Sequence, residues 1–185
     1  MSELLEDFER RIAIAGYRVR VGDPEALLRS LRASKVRVQV FDASLIAGRE
    51  HLLMASINAL KAFKDGLNVS KNELMELLLY ASAQRQIGKA VGLLGVKKES
   101  KSLATVVLGD SREETEKALG ELERLLGGER DDDVLKLTAD KIEGIKKAFG
   151  ITSLELESKK GLPADEAITE LVIERCALLL ADLGG

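Results

Sequence analysis

The chain has no tryptophan, one cysteine, one histidine and two prolines, and aromatic residues supply only 3% of it. Each scarcity excludes something. With so few rings, the core has to be built from Leu, Ile, Val and Ala. A single cysteine, Cys176, rules out an internal disulfide framework. It lies in the apolar run Leu171 to Leu180, where a buried packing role is expected. A single histidine, His51, would have to serve any Ser-His-Asp triad, and no glycine-flanked serine elbow accompanies it. One His and one Cys, without carboxylate–histidine spacing, make a poor metal site. The Asp131–Asp133 run lacks the glycine and the distant glutamate of a calcium loop, so it reads as a solvated turn. No Walker loop is present, and no glycine-rich dinucleotide turn follows a strand. No catalytic residues, metal or cofactor are expected, and an enzyme acting alone on a metabolite is disfavoured. No apolar run approaches the roughly 20 residues of a membrane span. Met1 to Arg11 is charged and has no signal-peptide core, which points to the cytoplasm and to no membrane partner.

What is present is the balance of a globular protein, 45% hydrophobic and 32% charged. The length suggests one domain over residues 1–185. Net charge is −3, but it is uneven. Residues 49–101 carry nine basic and five acidic groups, net +4, whereas residues 102–185 carry eleven basic and nineteen acidic, net −8. A basic island in an acidic protein is too small for a nonspecific nucleic-acid coat. It suits a short RNA contact or an acidic protein patch.

Alternation predicts strands at 11–21 and at 35–41 with Val36, Val38 and Val40 on one face, and 101–108 reads as a buried strand. Asp23-Pro24 supplies a cap and a first-turn proline for a helix to about Ala33. Helical spacing follows at 49–64, and again from Ser70, where Glu73 completes a capping-box pattern. A third helical stretch reaches Gly95 through Ile87, Val91 and Leu94. Further helices are expected at 111–126, 138–149 and 165–183, with a short strand at 134–137 and a strand or loop at 152–157. The expected fold is α+β: a small mixed sheet of three to five strands flanked by several helices, with a helical insert at about 49–95.

The segment from Ser70 to Gly95 is the most unusual. Two helical stretches meet at a polar knot, Ser82-Ala83-Gln84-Arg85-Gln86, and Gly88 and Gly92 punctuate the second. Spacing of four places these glycines on one face, which permits close helix packing. Lys61, Lys64, Lys71, Arg85 and Lys89 converge on one groove if the helices pack side by side. Guanidinium forks match phosphates and amides read base edges, so Arg85 and Gln86 suit RNA. The plainer reading of the lysines is an ordinary solvated face, and both readings stand on pattern alone. Tyr80 is the one aromatic near the knot, and its spacing also fits the core.

The run Leu78-Leu79-Tyr80-Ala81-Ser82-Ala83-Gln84-Arg85-Gln86-Ile87 resembles the hallmark of the PRPK-binding-protein family, a subunit of the KEOPS complex. The likeness extends to His51–Ala55, Asn58-Ala59, Ala90–Gly95, Thr105–Leu108 and the closing stretch Leu171–Leu180. Ala83 stands where glycine is usual. A positive φ there would strain alanine, whereas a helical φ would let it extend the helix. The resemblance implies a non-catalytic subunit that binds the complex's small atypical kinase/ATPase. It also implies help in bringing tRNA to the threonylcarbamoyl transferase subunit, partly by holding the single-stranded 3′ CCA tail. The product is threonylcarbamoyladenosine beside the anticodon. The hallmark carries over as Tyr80, Ser82, Arg85 and Gln86. Lys61, Lys64, Lys71 and Lys89 are added as phosphate contacts from their charge, and Met54 and Met75 as apolar candidates for the kinase contact. The alternative is a regulator of the kinase that does not touch RNA.

Overall fold

The computed structural model describes residues 2–5, 10–98 and 100–181, and the chain divides into two compact units. One comprises Met1–Ala43 with Gly95–Val134, and the other Ser44–Leu94 with Leu135–Gly185. The α+β layout and the helical insert are as the sequence predicts, and the described strand pairings are all antiparallel.

The first unit is a sheet covered by helices. Its strands are β1 (Ser2–Leu5), β2 (Arg10–Arg18), β3 (Val38–Asp42), β4 (Ser102–Gly109) and β5 (Glu129–Arg130). The order is β1-β2-β4-β3, and β5 pairs with β2 through Tyr17 and Arg18. Strand β4 is buried from Leu103 to Gly109, so it shows the near-continuous apolar run of a central strand, not alternation. Helix α1 (Pro24–Ser34) starts where expected, with the Asp23 carboxylate accepting the Ala26 N–H. Helix α5 (Arg112–Leu126) is capped by Ser111. Leu31 of α1 and Leu119, Leu122 and Leu126 of α5 pack against Ala13, Ala15, Tyr17, Val40, Leu103 and Val107 of the sheet. This is the alternate set of strand positions, the face that period-2 patterning assigns to one side.

The acidic run 131–133 is not a free solvated turn. The Asp132 carboxylate accepts the Gly16 N–H, the Asp131 N–H donates to the Gly16 carbonyl, and Arg18 pairs with Asp131. Gly16 permits this approach, because a Cβ there would lie 2.5 Å from the Asp131 carbonyl oxygen and 2.6 Å from a Val134 methyl. The expected strand at 134–137 is instead part of a 3-10 turn, Asp132–Leu135.

The second unit is helical: α2 (Arg49–Asp65), α3 (Glu73–Ser82), α4 (Ile87–Leu94), α6 (Ala139–Phe149), α7 (Ser153–Ser158) and α8 (Ala164–Ala181). Residues 182–183 of the expected last helix lie outside the described residues. Ala47, Ile145, Phe149, Ile168, Leu171, Val172 and Cys176 form a mainly aliphatic core with one ring, in keeping with the shortage of aromatics. Helix α7 occupies the stretch left between strand and loop. Thr152 and Glu155 form a reciprocal capping box that starts it. Helix α3 is capped by Asn72 and not by Ser70. The Asn72 side chain accepts the Leu74 and Met75 N–H groups, and the Ser70 N–H turns inward to the buried Glu76 carboxylate at 2.6 Å. No helix among the described residues is long and apolar enough to cross a membrane.

Candidate functional site

The polar knot is held by a frame of buried groups. Helices α2 and α3 are joined by the 66–72 turn and run antiparallel, so the start of α2 lies beside the end of α3. There the His51 Nε2–H donates to the Ala81 carbonyl at 2.8 Å, and Nδ1 accepts the Ala47 N–H at 3.2 Å. This pair of bonds fixes the neutral Nε2–H tautomer. The Phe149 ring meets the imidazole edge-on at 5.6 Å. His51 is fully enclosed, and burial pushes its pKa down to about 4 against the pull of the Ala81 bond. An enclosed, neutral ring committed at both nitrogens is a structural tie. Cys176 Sγ lies 3.9 Å from the same Ala81 oxygen, and burial pushes its thiol up to about 12.

Immediately after this tie the chain turns. Ala83 has φ of 51° and is the left-handed C-cap of α3. Its N–H bonds to the Tyr80 carbonyl, and the Gln84 N–H bonds to that of Leu79. The strained alternative posed by the sequence is therefore the one realised, at a cost of roughly 1–2 kcal/mol for a residue with a Cβ. The turn lifts Arg85 and Gln86 into solvent before the Gln86 carbonyl accepts the Ala90 N–H and opens α4.

Tyr80 and Ser82 sit beneath the surface. Both are fully buried; the Ser82 hydroxyl donates back to the Leu79 carbonyl at 3.0 Å. The Tyr80 hydroxyl is a buried oxygen without a hydrogen-bond partner. Burial, reinforced by Glu76 and opposed by Arg85, raises its pKa to about 12. Of the four hallmark residues, Arg85 and Gln86 are presented and Tyr80 and Ser82 shape what presents them.

The lysines separate. Lys89 is exposed on α4 one turn beyond Arg85. Lys61, Lys64 and Lys71 are exposed at the opposite end of the α2–α3 hairpin from the His51–Ala81 tie. With a rise of 1.5 Å per residue, that is about 15–20 Å along the helices. One groove does not collect all five cations. Met54 and Met75 are half-buried, on the second turn of α2 and the first turn of α3 respectively.

Sequence reasoning missed the exposure of Ile87 and Val91 on α4. Ala90 and Leu94 point into the core, while Ile87 and Val91 are 45% and 44% exposed. Gly88 and Gly92 are exposed beside them, and a Cβ on either would meet nothing within 4 Å. Ile87, Ala90, Val91 and Leu94 have the i, i+3, i+4, i+7 spacing of one apolar stripe, so periodicity reads all four as core-facing, whereas Ile87 and Val91 stay exposed along the stripe.

The model of the kinase binding protein CGI-121 family matches residues 19–179. The chain belongs to that family. It is also 28% identical over 162 residues to the regulatory protein Cgi121 of Methanocaldococcus jannaschii, a match that covers 83% of this chain and 96% of the relative.

Proposed function

We propose that this family member is a non-catalytic subunit of a KEOPS-type complex, binding the small atypical kinase and helping to bring tRNA to the transferase through the 3′ CCA tail. The observation that carries the reading is the Arg85–Gln86 pair, held in solvent by a left-handed turn that is tied down from beneath. Preorganised guanidinium and amide groups on a fixed turn suit a flexible single strand, which arrives with no shape of its own. Lys89 adds a phosphate contact on the same side. Lys61, Lys64 and Lys71 stand too far away for the same few nucleotides and would meet phosphates farther along the tRNA. Tyr80 and Ser82 support the turn from below. The enclosed His51 leaves the chain without an accessible imidazole for catalysis.

A purified chain is expected to retard intact tRNA in a gel and to bind tRNA trimmed of its CCA tail at least several-fold more weakly. Arg85→Glu is expected to weaken the intact complex to the level of the trimmed one. Equal binding of intact and trimmed tRNA would sink the tail-holding role. A second reading, a kinase regulator without RNA contact, is favoured by the family's description as a kinase binding protein and the relative's as a regulatory protein. It predicts kinase binding together with tRNA affinity that Arg85→Glu does not change.

A further inference from the structure

Residues 152–166 form the longest run without a buried side chain among the described residues. Helix α7 lies within it and buries none of its six residues. Leu156 leans on the helical core but is only half-buried, and Leu154 is 76% exposed. The stretch nevertheless takes its shape from within. Thr152 and Glu155 form the capping box, and the Ser158 hydroxyl donates to the Glu155 carbonyl. The Lys159 N–H donates to the Leu156 carbonyl and the Leu162 N–H to that of Lys159. None of these bonds reaches another element.

What ties the stretch to α8 is charge. Glu155 pairs with Arg175, and the Lys159 ammonium lies 2.9 Å from Glu170 and 2.7 Å from Glu174. Every group in these pairs is partly open to solvent, so the attraction is modest and salt screens it. The two ends of the stretch differ. Ile151, 7% exposed, anchors one end in the helical core. At the other end Gly161 has φ of 109°, and a Cβ there would meet nothing within 4 Å. A glycine in open space is free to absorb a change of backbone direction.

We propose that residues 152–162 form a strap that lifts from α8 while the rest of the helical unit stays folded, turning at Gly161 and held shut by an electrostatic latch, Glu155 to Arg175 and Lys159 to Glu170 and Glu174. Lifting gives up these pairs and the Leu156 contact and breaks no backbone bond named above. Such a segment opens locally at far lower cost than the helices that bury a full face. The open state leaves Glu170, Glu174 and Arg175 without their strap partners and bares the core beside Leu156. Access to that side of α8 is thereby set by ionic strength. The device depends on neither the kinase reading nor the RNA reading above.

Residue-resolved hydrogen exchange on the full chain tests this, at about 0.05 M and about 1 M sodium chloride, on either side of effective screening. A lifted six-residue helix is too short to persist alone, so its amides exchange once the strap opens. The Leu156, Lys159 and Leu162 amides should exchange roughly three-fold or more faster at high salt, measured against α5 amides in the same samples. The Leu79 amide of α3 and the Val172 amide of α8 should keep their protection at both concentrations. The double variant Lys159→Gln, Arg175→Gln removes the latch, so the three strap amides should exchange fast already at low salt and lose most of their salt dependence. Strap amides as protected as Val172 at both concentrations would overturn the proposal. So would a local opening whose rate ignores salt in the unmodified chain, whether or not the double variant folds.

Discussion

The two units spend their apolar residues differently. In the sheet unit no described large apolar side chain is more than about a third exposed; Val69, Ile87, Val91, Leu154, Leu162 and Leu178, the ones that are, all belong to the helical unit. Asp110 in the sheet unit is shared between Arg10 at 2.6 Å and Arg37 at 3.2 Å, so even its surface charges are occupied with one another. The helical unit contains ion pairs too, such as Lys159 with Glu170 and Glu174, but it leaves aliphatic surface beside them. The difference teaches where recognition resides. A unit that encloses its apolar residues has little to offer a partner beyond charge, whereas exposed aliphatics on a rigid helix are unspent contact area.

The largest blow to the helical unit should come from His51→Ala. It leaves the Ala81 carbonyl and the Ala47 N–H without partners and opens a void beside Phe149, for a loss of about 3–5 kcal/mol. Hydrogen exchange read residue by residue would show whether the loss is confined to that unit; unchanged protection of α2 and α3 amides would contradict the role given to His51. The same residue sets a pH dependence. Its folded pKa of about 4 lies below the ordinary 6.5, so the unfolded chain takes up the proton first as pH falls. Stability from this source is complete above about pH 6.5 and drains away down to about pH 4, by on the order of 3 kcal/mol. As the chain has one histidine, its ring proton gives a single resonance, and a midpoint near 6 in an NMR titration would overturn the buried tie.

In the sheet unit, Gly16→Ala should cost about 1–3 kcal/mol in urea unfolding, because the new methyl collides with the Asp131 carbonyl and with Val134. A neutral result would mean the 131–133 loop yields easily. The smallest effects separate two left-handed caps, Lys35 in the sheet unit and Ala83 in the helical unit. Lys35 is exposed, and Lys35→Gly should stabilise by roughly 1 kcal/mol as the strain disappears. Ala83 packs partly on the helical core, so Ala83→Gly trades the same relief against lost methyl contact and should fall within about 0.5 kcal/mol of neutral. A larger gain at Ala83 than at Lys35 in paired melts would contradict this ordering.

Elements with strong local chemistry were legible in the sequence. Asp23-Pro24 and Ser111 mark the starts of α1 and α5, and the alternation at 35–41 marks β3, which pairs from Val38 to Asp42. The four-residue β1 was missed, since a strand that short has no periodicity to read. The capping box of Thr152 and Glu155 was legible as a Thr-x-x-Glu pattern, but only six helical residues follow it. Ser70 and Asn72 compete as caps two residues apart, and the buried Glu76, which takes the Val69 and Ser70 N–H groups, decides for Asn72. At the site, Arg85 and Gln86 stood out because packing gave them no reason. The dispersal of the lysines was not readable from their spacing, because it follows from the antiparallel path of α2 and α3. Nor could periodicity say that Ile87 and Val91, on the same apolar stripe of α4 as Ala90 and Leu94, stay exposed.

Ala81 has no chemistry in its side chain, yet its carbonyl oxygen is where α2 and α8 both touch α3, through His51 and Cys176. Four residues later the chain presents Arg85. Two helices therefore anchor one peptide plane, and that anchorage sets the direction in which the backbone leaves α3.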